Sequence, residues 1–242
     1  MLSYSLDWDR TGVRFNERRD SWSATNNLGI EFQIDRGFLV SNRMELLPCL
    51  WPPSEGDAGF GDVALRALSW ITGGRAQAGH SGDPTNSTRT RNWAEPIHKA
   101  LSVGHSSHET SAEAYCQFSY AIARADIATI DRPDEPSLLG FSLTLAGRWR
   151  SAPDQPWLAF DWETAMPWGV LWDFVWLEAA QSPNDSLVAV TVTRPLLGIL
   201  RDLNPATQSA EVLGNKSVQN MVEGTRVTLD YQDGLWLAEA SP

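Results

Sequence analysis

The chain has 242 residues, a formal net charge of -11, and 42% hydrophobic and 20% charged residues, which is ordinary globular composition. This composition excludes a disordered chain, and the acidic balance argues against nucleic-acid binding, because phosphate backbones are neutralised by Lys and Arg. No stretch approaches the roughly 20 apolar residues that a membrane helix requires. The sequence therefore predicts a soluble globular protein that neither binds nucleic acid nor inserts into a membrane.

Strands dominate the predicted elements, because apolar and polar residues alternate along seven segments with the period of a half-buried strand. These segments are 2–8, 28–34, 38–47, 115–124, 137–149, 157–164 and 187–193. Helical signals are fewer. Asp62 can cap a helix at 63–70, Pro195 can begin a helix that ends near Leu203, and 210–222 is a third candidate. Strands and helices do not alternate regularly, so we expect a mainly β fold, an antiparallel β-sandwich with a few short helical insertions.

One long polar loop is predicted at 72–92, which is rich in Gly, Ser, Thr, Asn and Arg. Loops longer than about 12 to 15 residues are usually functional or disordered, so this segment is the first place to look for a site. The chain is short for two independent β cores. We therefore expect one domain over 1–242, with 72–92 as a loop or an insertion.

All four histidines lie close together in the sequence, at His80, His98, His105 and His108. Imidazole is a common ligand for copper and zinc, and a pair such as His105 and His108 can converge from a turn. We therefore expect a metal site, for copper or zinc, formed by His80, His105 and His108. The alternative is a solvated loop, because no second ligand pair has the spacing of a known zinc motif.

Tryptophan is unusually frequent, with 12 residues in the chain and six of them between 149 and 176. Trp168, Trp172 and Trp176 lie at intervals of four, which would align them on one face of a helix. Trp157 and Trp162 are an odd interval apart and would face opposite sides of a strand. Large rings fill a core or line a ligand groove. We expect most of them to fill the core and at least one to be exposed.

Carboxylates are interleaved with these rings. A glycosidase needs an aromatic platform beside two acids, one as proton donor and one as base or nucleophile. Trp157, Trp162, Asp161 and Glu163 therefore form a candidate ligand-binding set for a carbohydrate-binding or glycoside-cleaving module at 149–178. Chance adjacency is the alternative, because spacing does not show that two acids face one cleft. No nucleophile elbow, phosphate-binding loop or dinucleotide motif is present, which favours a protein that is not an enzyme.

The two cysteines, Cys49 and Cys116, each adjoin a predicted strand. A disulfide between them would close a long loop and contribute about 4 kcal/mol to stability, and two buried free thiols are the alternative. The N-terminal segment carries Asp7 and Asp9 and lacks a basic start followed by an apolar core, so it does not have the pattern of a secretion signal. This pattern favours the cytoplasm unless a signal has been lost, whereas a disulfide would favour an oxidising compartment.

Several segments resemble the MbnP-like proteins, a bacterial extracytoplasmic β-sandwich family associated with methanobactin systems and copper. The matching parts are the segment 38–46, with the sequence FLVSNRMEL, the pair Cys49 and Cys116, and the segments 190–202 and 215–222. The resemblance implies a secreted or periplasmic sandwich that binds a metal or a metal-carrying ligand and catalyses no obvious reaction.

The chain departs from that family in having no histidine after His108, so no copper ligand is carried over, and in lacking a signal segment. We expect a non-enzymatic, periplasmic or secreted binding protein for a small ligand or for a metal ion, copper or another transition metal. A cytoplasmic location is the alternative. The competing functions are the carbohydrate module at 149–178 and a structural or interaction domain without a small ligand.

Overall fold

A computed structural model describes residues 2–48, 92–97, 101–106, 115–134, 137–173, 187–231 and 234–238. These residues form a predominantly β protein with thirteen strands in two sheets and two helices, which confirms the prediction of a mainly β, sandwich-like fold. The strands are β1 (Leu2–Asp9), β2 (Arg14–Asn16), β3 (Ser21–Thr25), β4 (Glu31–Pro48), β5 (Trp93–Pro96), β6 (Leu101–Ser106), β7 (Tyr115–Ile122), β8 (Leu143–Arg150), β9 (Leu158–Thr164), β10 (Trp168–Asp173), β11 (Leu187–Pro195), β12 (Arg226–Tyr231) and β13 (Gly234–Ala238). The helices are α1 (Leu196–Ile199) and α2 (Ala210–Glu223).

The first sheet contains five strands in the order β13-β12-β11-β1-β6. Its neighbours are antiparallel except for β1 and β11, which run parallel with Leu6 opposite Val192. The alternation of β1 directs Leu6 and Trp8 inward, where both are buried. The strands predicted at 2–8 and 187–193 are therefore confirmed.

The second sheet contains eight strands and is built around β4, which pairs with β3, β5, β7 and β8. The remaining strands extend it outward, because β2 pairs with β3, β10 with β7 and β9 with β8. The strands predicted at 115–124 and 157–164 are confirmed. Of the segment predicted at 137–149, only the part from Leu143 onward is a strand, and Leu139 is exposed in the preceding loop.

β4 joins two segments that the sequence predicts as separate strands, one ending at Ile34 and the next beginning at Phe38. Its pairing with β8 shifts between Ile34 and Arg36, so a bulge changes the phase of the alternation there. Gly147 of β8 lies opposite Ile34, and a Cβ at this glycine would lie 2.1 Å from the carbonyl oxygen of Gln33. Glycine therefore permits the close approach of the two strands at the bulge.

The two sheets share one hydrophobic core, to which both helices also contribute. Its larger members are Leu6, Trp8, Val190, Val192 and Leu229 from the first sheet, Trp22, Phe32, Ile34, Leu39, Phe118, Leu145 and Trp162 from the second, and Leu196 and Met221 from the helices. A smaller cluster forms on the other face of β4, where Val40 packs with Ala94, Ala125 and Leu138. The strand alternation therefore supplies a core between the layers and a second, minor one beneath a surface loop.

The helices follow their local signals. Ser209 caps α2, because its hydroxyl accepts a hydrogen bond of 3.3 Å from the Val212 N–H, and α2 packs on β9 and β10. This confirms the helix predicted at 210–222. Pro195 directly precedes α1, as predicted, but α1 is a single turn and does not continue to Leu203.

β10 corrects the expectation for two of the tryptophans, because Trp168 and Trp172 lie on a strand and not on a helix. Four is an even interval, so the same spacing also places two side chains on one face of a strand. Seven strands are not predicted from the sequence: β2, β3, β5, β6, β10, β12 and β13. Most are short, but β12 has the alternating Val227 and Leu229 that would have identified it.

Two predicted elements lie outside the described residues: the helix at 63–70 and the loop at 72–92, of which only Asn92 is described. In the part of the chain that the structure covers, neither helix has the length and apolar character needed to cross a lipid bilayer.

Candidate functional site

His105 is the one predicted metal ligand that falls within the described ranges. It belongs to β6, which ends the strand order of the first sheet, and it pairs with Ser3 of β1. The register shifts at this point, because Tyr4 pairs with Val103 and Gly104 is left as an extra residue. Bulges at sheet edges are frequent beside functional side chains, since they bend the strand and change its local twist.

The other two predicted metal ligands, His80 and His108, lie outside the described residues. Within the described ranges, no group of three or more His, Cys, Asp or Glu residues is arranged to hold a metal ion. A metal site of three such ligands at His105 would therefore need at least one ligand from beyond those ranges.

The predicted disulfide involves one described residue, Cys116 of β7, and one that lies outside the description, Cys49. The strand pairing places Pro48 of β4 opposite Tyr115 of β7. The residue before Cys49 is thus a neighbour of the residue before Cys116. This pairing does not test the bridge, which stays a prediction.

β9 divides the candidate carbohydrate site between its two faces. Trp162 points into the core, where it is 3% exposed and stacks on Phe160 with ring centroids 4.1 Å apart. Asp161 and Glu163 are exposed and occupy the opposite face, as the alternation of a strand requires. Trp162 is therefore not brought together with the two acids.

Trp157 lies directly before β9 and is half-buried. The guanidinium groups of Arg148 and Arg150 lie over its ring, 5.2 and 4.6 Å from the centroid. Arg148 is held in place by a 2.7 Å hydrogen bond to Gln33 Oε1, and Arg150 by an ion pair of 2.5 Å with Glu31. These cation–π contacts use part of the ring surface that a sugar would need.

The remaining tryptophans of this region fill the core, as expected. Trp149 and Trp172 are buried, and Trp168 packs against the same cluster from its edge. Trp157 is thus the ring of the region that departs from a purely core-filling role, while Trp176 lies outside the described residues.

A buried ion pair that is not predicted from the sequence joins the two sheets. Glu95 of β5 and Arg194 of β11 are fully buried, and the guanidinium donates to both carboxylate oxygens, with Nη2 2.9 Å from Oε2. Ser41 donates to Glu95 Oε1 at 2.7 Å, and its Oγ lies 3.0 Å from the Tyr120 hydroxyl. We refer to these four residues as the buried polar cluster.

The surroundings of the buried polar cluster raise the pKa values of Arg194 and Tyr120. Burial opposes the charge of Arg194, but the negative charge of Glu95, the Tyr120 hydroxyl and the hydrogen bonds to both together outweigh it, so the pKa of Arg194 is raised and the guanidinium stays charged. Burial also raises the pKa of Tyr120, so its hydroxyl keeps its proton. The ring of Trp8 lies 4.0 Å from the Arg194 guanidinium carbon. All four side chains are closed off from solvent, so the cluster can connect the sheets but cannot meet a ligand.

The sequence does contain a signal for this pair. Val190, Val192 and Arg194 occupy alternate positions of β11 and are all buried, so the arginine shares the inward face. Trp93 and Glu95 share the inward face of β5 in the same way. A charge in phase with buried apolar residues requires a buried partner of opposite charge.

A polar pocket of about 360 Å³ opens on the surface beside the loop that contains Asp131, Arg132 and Asp134. These side chains are exposed. Thr129, the buried polar residue of the wall, is already bonded to Asp126, with its Oγ1 3.0 Å from Oδ1. The pocket thus presents exposed charges of both signs and no buried group that would select a ligand.

Comparison with known proteins identifies no relative: no family model matches the chain, and neither a curated protein nor a solved structure matches it. The resemblance to the MbnP-like proteins therefore stays a prediction.

Proposed function

We propose that the protein is a non-enzymatic binding protein that holds a copper or zinc ion at the edge of its first sheet, with His105, His108 and His80 as ligands. The observation that carries the proposal is the place of His105 on β6, beside the bulge at Gly104 and at the end of the strand order. Among the described strands, none pairs with the outer edge of β6.

Chain geometry and ligand chemistry support the same site. His108 follows His105 by three residues, so their Cα atoms are at most about 11 Å apart, within reach of a shared ion. Neutral imidazole suits Cu²⁺ and Zn²⁺, and three imidazoles leave a position for water or a further ligand. The MbnP-like resemblance adds copper and a periplasmic or secreted setting to the proposal.

Metal content measured by mass spectrometry tests the site. Metal-free protein is incubated with Cu²⁺ or Zn²⁺ and then desalted, and we expect one ion per chain in the unsubstituted protein. His105→Ala combined with His108→Ala should remove the ion, while His98→Ala is the matched control and should keep it. In the copper form, electron paramagnetic resonance should show coupling to nitrogen. Full metal content in the double variant would contradict the proposal.

A second candidate function is carbohydrate binding on the outer face of β9. It is supported by Asp161 and Glu163, which share that exposed face, and by the half-buried ring of Trp157. A sugar would have to replace guanidinium contacts with this ring. We expect an oligosaccharide that binds here to change the tryptophan fluorescence of the unsubstituted protein. The same oligosaccharide should not change the fluorescence of Trp157→Ala. If no oligosaccharide of a panel changes the fluorescence of the unsubstituted protein, this candidate function is eliminated.

A further inference from the structure

Among the arginines with described side chains, three have no side-chain partner. Arg14, Arg18 and Arg19 are exposed, and within the part of the chain that the structure describes their side chains form no hydrogen bond, ion pair or ring contact. Every other arginine with a described side chain has such a contact, including the exposed Arg36 and Arg226, each of which pairs with an aspartate. The three free guanidinium groups lie within six residues of sequence, on the segment 10–20 that we refer to as the arginine hairpin.

The arginine hairpin is anchored to the fold and presents its charges at a defined place. β2 pairs with β3 through Phe15 opposite Trp22, and Val13 packs against the core. Gly12 has a φ of +77°, and a Cβ there would lie 2.9 Å from the Leu197 side chain, so the loop fits closely against α1. Anchoring of this kind lowers the conformational entropy that a partner must overcome on binding.

The hairpin also lies at the end of the second sheet in the described strand order. β2 ends the strand order of the second sheet, and no described strand pairs with its other side. Unpaired edge strands accept an extended segment from another chain through backbone hydrogen bonds. Arg14 lies on β2 itself, and Arg18 and Arg19 lie in the turn that follows, so all three are beside the path of such a segment.

We propose that the arginine hairpin is a docking surface for an extended acidic segment of a partner protein. The planar guanidinium fork matches a carboxylate, with two parallel hydrogen bonds. The chain as a whole carries a net charge of -11, which repels large polyanions such as nucleic acid or an anionic membrane. The segment 10–20 itself carries four arginines against Glu17 and Asp20, which is a local excess of positive charge, and salt screens the more distant acids beyond about 8 Å at physiological ionic strength.

Fluorescence anisotropy with a labelled peptide of alternating Glu and Thr tests the surface. We expect the unsubstituted protein to bind the peptide, with affinity that falls as salt is added. The variant Arg14→Gln, Arg18→Gln and Arg19→Gln should weaken binding by at least about tenfold. The matched control is Arg36→Gln, Arg124→Gln and Arg132→Gln, which makes the same change in net charge at exposed arginines elsewhere and should bind as the unsubstituted protein does.

Two further arms separate the parts of the proposal. A peptide of the same charge with two consecutive prolines in each repeat lacks N–H donors on both of its edges and favours a polyproline conformation, so it should bind more weakly, and equal binding would overturn addition as a strand. Phosphatidylserine vesicles and single-stranded DNA should bind more weakly than the acidic peptide. Tighter binding to either, or an equal loss in the matched control, would overturn the proposal of an acidic protein partner.

Discussion

The interior between the sheets and the outer surface hold the same chemical pair, arginine with glutamate, in opposite surroundings. Arg194 and Glu95 are completely buried, whereas Arg201 and Glu223 are 48% and 55% exposed with 3.1 Å between Nη2 and Oε2. A third pair, Arg150 with Glu31 at the ends of β8 and β4, is half-buried and lies between these extremes. The three sites therefore form a series in which the charges stay the same and access to water changes.

The comparison teaches that burial, more than the hydrogen-bond geometry, sets what each pair contributes. In water both partners of an exposed pair are solvated whether or not they meet, so breaking it changes little. A buried partner left alone has no water to replace its lost contact and is strongly destabilising. Variants of the three pairs should therefore differ in effect by an order of magnitude.

The largest effect is expected for Arg194→Met. This change leaves the Glu95 carboxylate buried without its counter-charge, so the free energy of unfolding should fall by about 3 to 5 kcal/mol. Urea denaturation followed by circular dichroism measures it. Adding Glu95→Leu removes the stranded charge and should recover most of the loss. A double variant as unstable as the single one would show that loss of the ion pair itself, and not the unpaired charge of Glu95, causes most of the destabilisation.

Tyr120→Phe should lower the free energy of unfolding by about 1 to 2 kcal/mol at neutral pH, because it removes a buried hydroxyl from the polar cluster. The pKa of Tyr120 is raised above its ordinary value of 10.0 by burial, so folding favours the protonated form. Its contribution is complete below pH 10 and is lost as pH rises through the folded pKa. The stability difference between the two proteins should therefore narrow in urea denaturation above pH 10, and a difference that widens there would contradict the assignment.

An intermediate effect is expected for Arg150→Ala at the half-buried pair. The change removes the ion pair with Glu31, a hydrogen bond to the carbonyl of Pro153 and the contact with Trp157. The free energy of unfolding should fall by about 1 kcal/mol, measured in the same way. Arg150→Lys keeps the charge but not the planar fork, so a full recovery by lysine would assign the effect to charge alone.

The smallest effect is expected for Arg201→Ala. Its pair with Glu223 is largely solvated, so the loss should be about 0.5 kcal/mol or less and should shrink further in high salt. Urea denaturation at low and high ionic strength measures both quantities. A loss as large as that of Arg150→Ala would show that exposure alone does not order the series.

Local patterns predicted the elements whose two faces differ most. β1, β7, β9 and β11 follow from alternation, and α2 from its apolar spacing. The prediction failed where the phase of the pattern changes, as at the bulge beside Ile34, and where four-residue intervals fit a helix and a strand alike, as for Trp168 and Trp172. β5 and β2 have four and three residues, too few for any period to be recognised.

For the candidate site as well, the sequence predicted some features and only the structure supplied the others. The sequence identified His105 as a possible ligand from its residue type, and only the strand order placed it at a sheet edge beside a bulge. The sequence predicted opposite faces for Trp157 and Trp162, and only the packing decided that Trp162 is the buried one. The sequence could not show that the Arg14 side chain lacks a described partner, because that depends on which acidic residues the fold places near it.

The sequence by itself predicted that the protein is mainly β and that a helix covers 210–222, and it places Arg194 at alternate positions with Val190 and Val192. Only the tertiary structure decided that Arg194 meets a glutamate 99 residues away in the chain and which of the described strands end each sheet. The physical reason is that alternation and capping are set by near neighbours along the chain. Strand pairing and burial depend on contacts between distant segments, whose partners the local pattern does not specify.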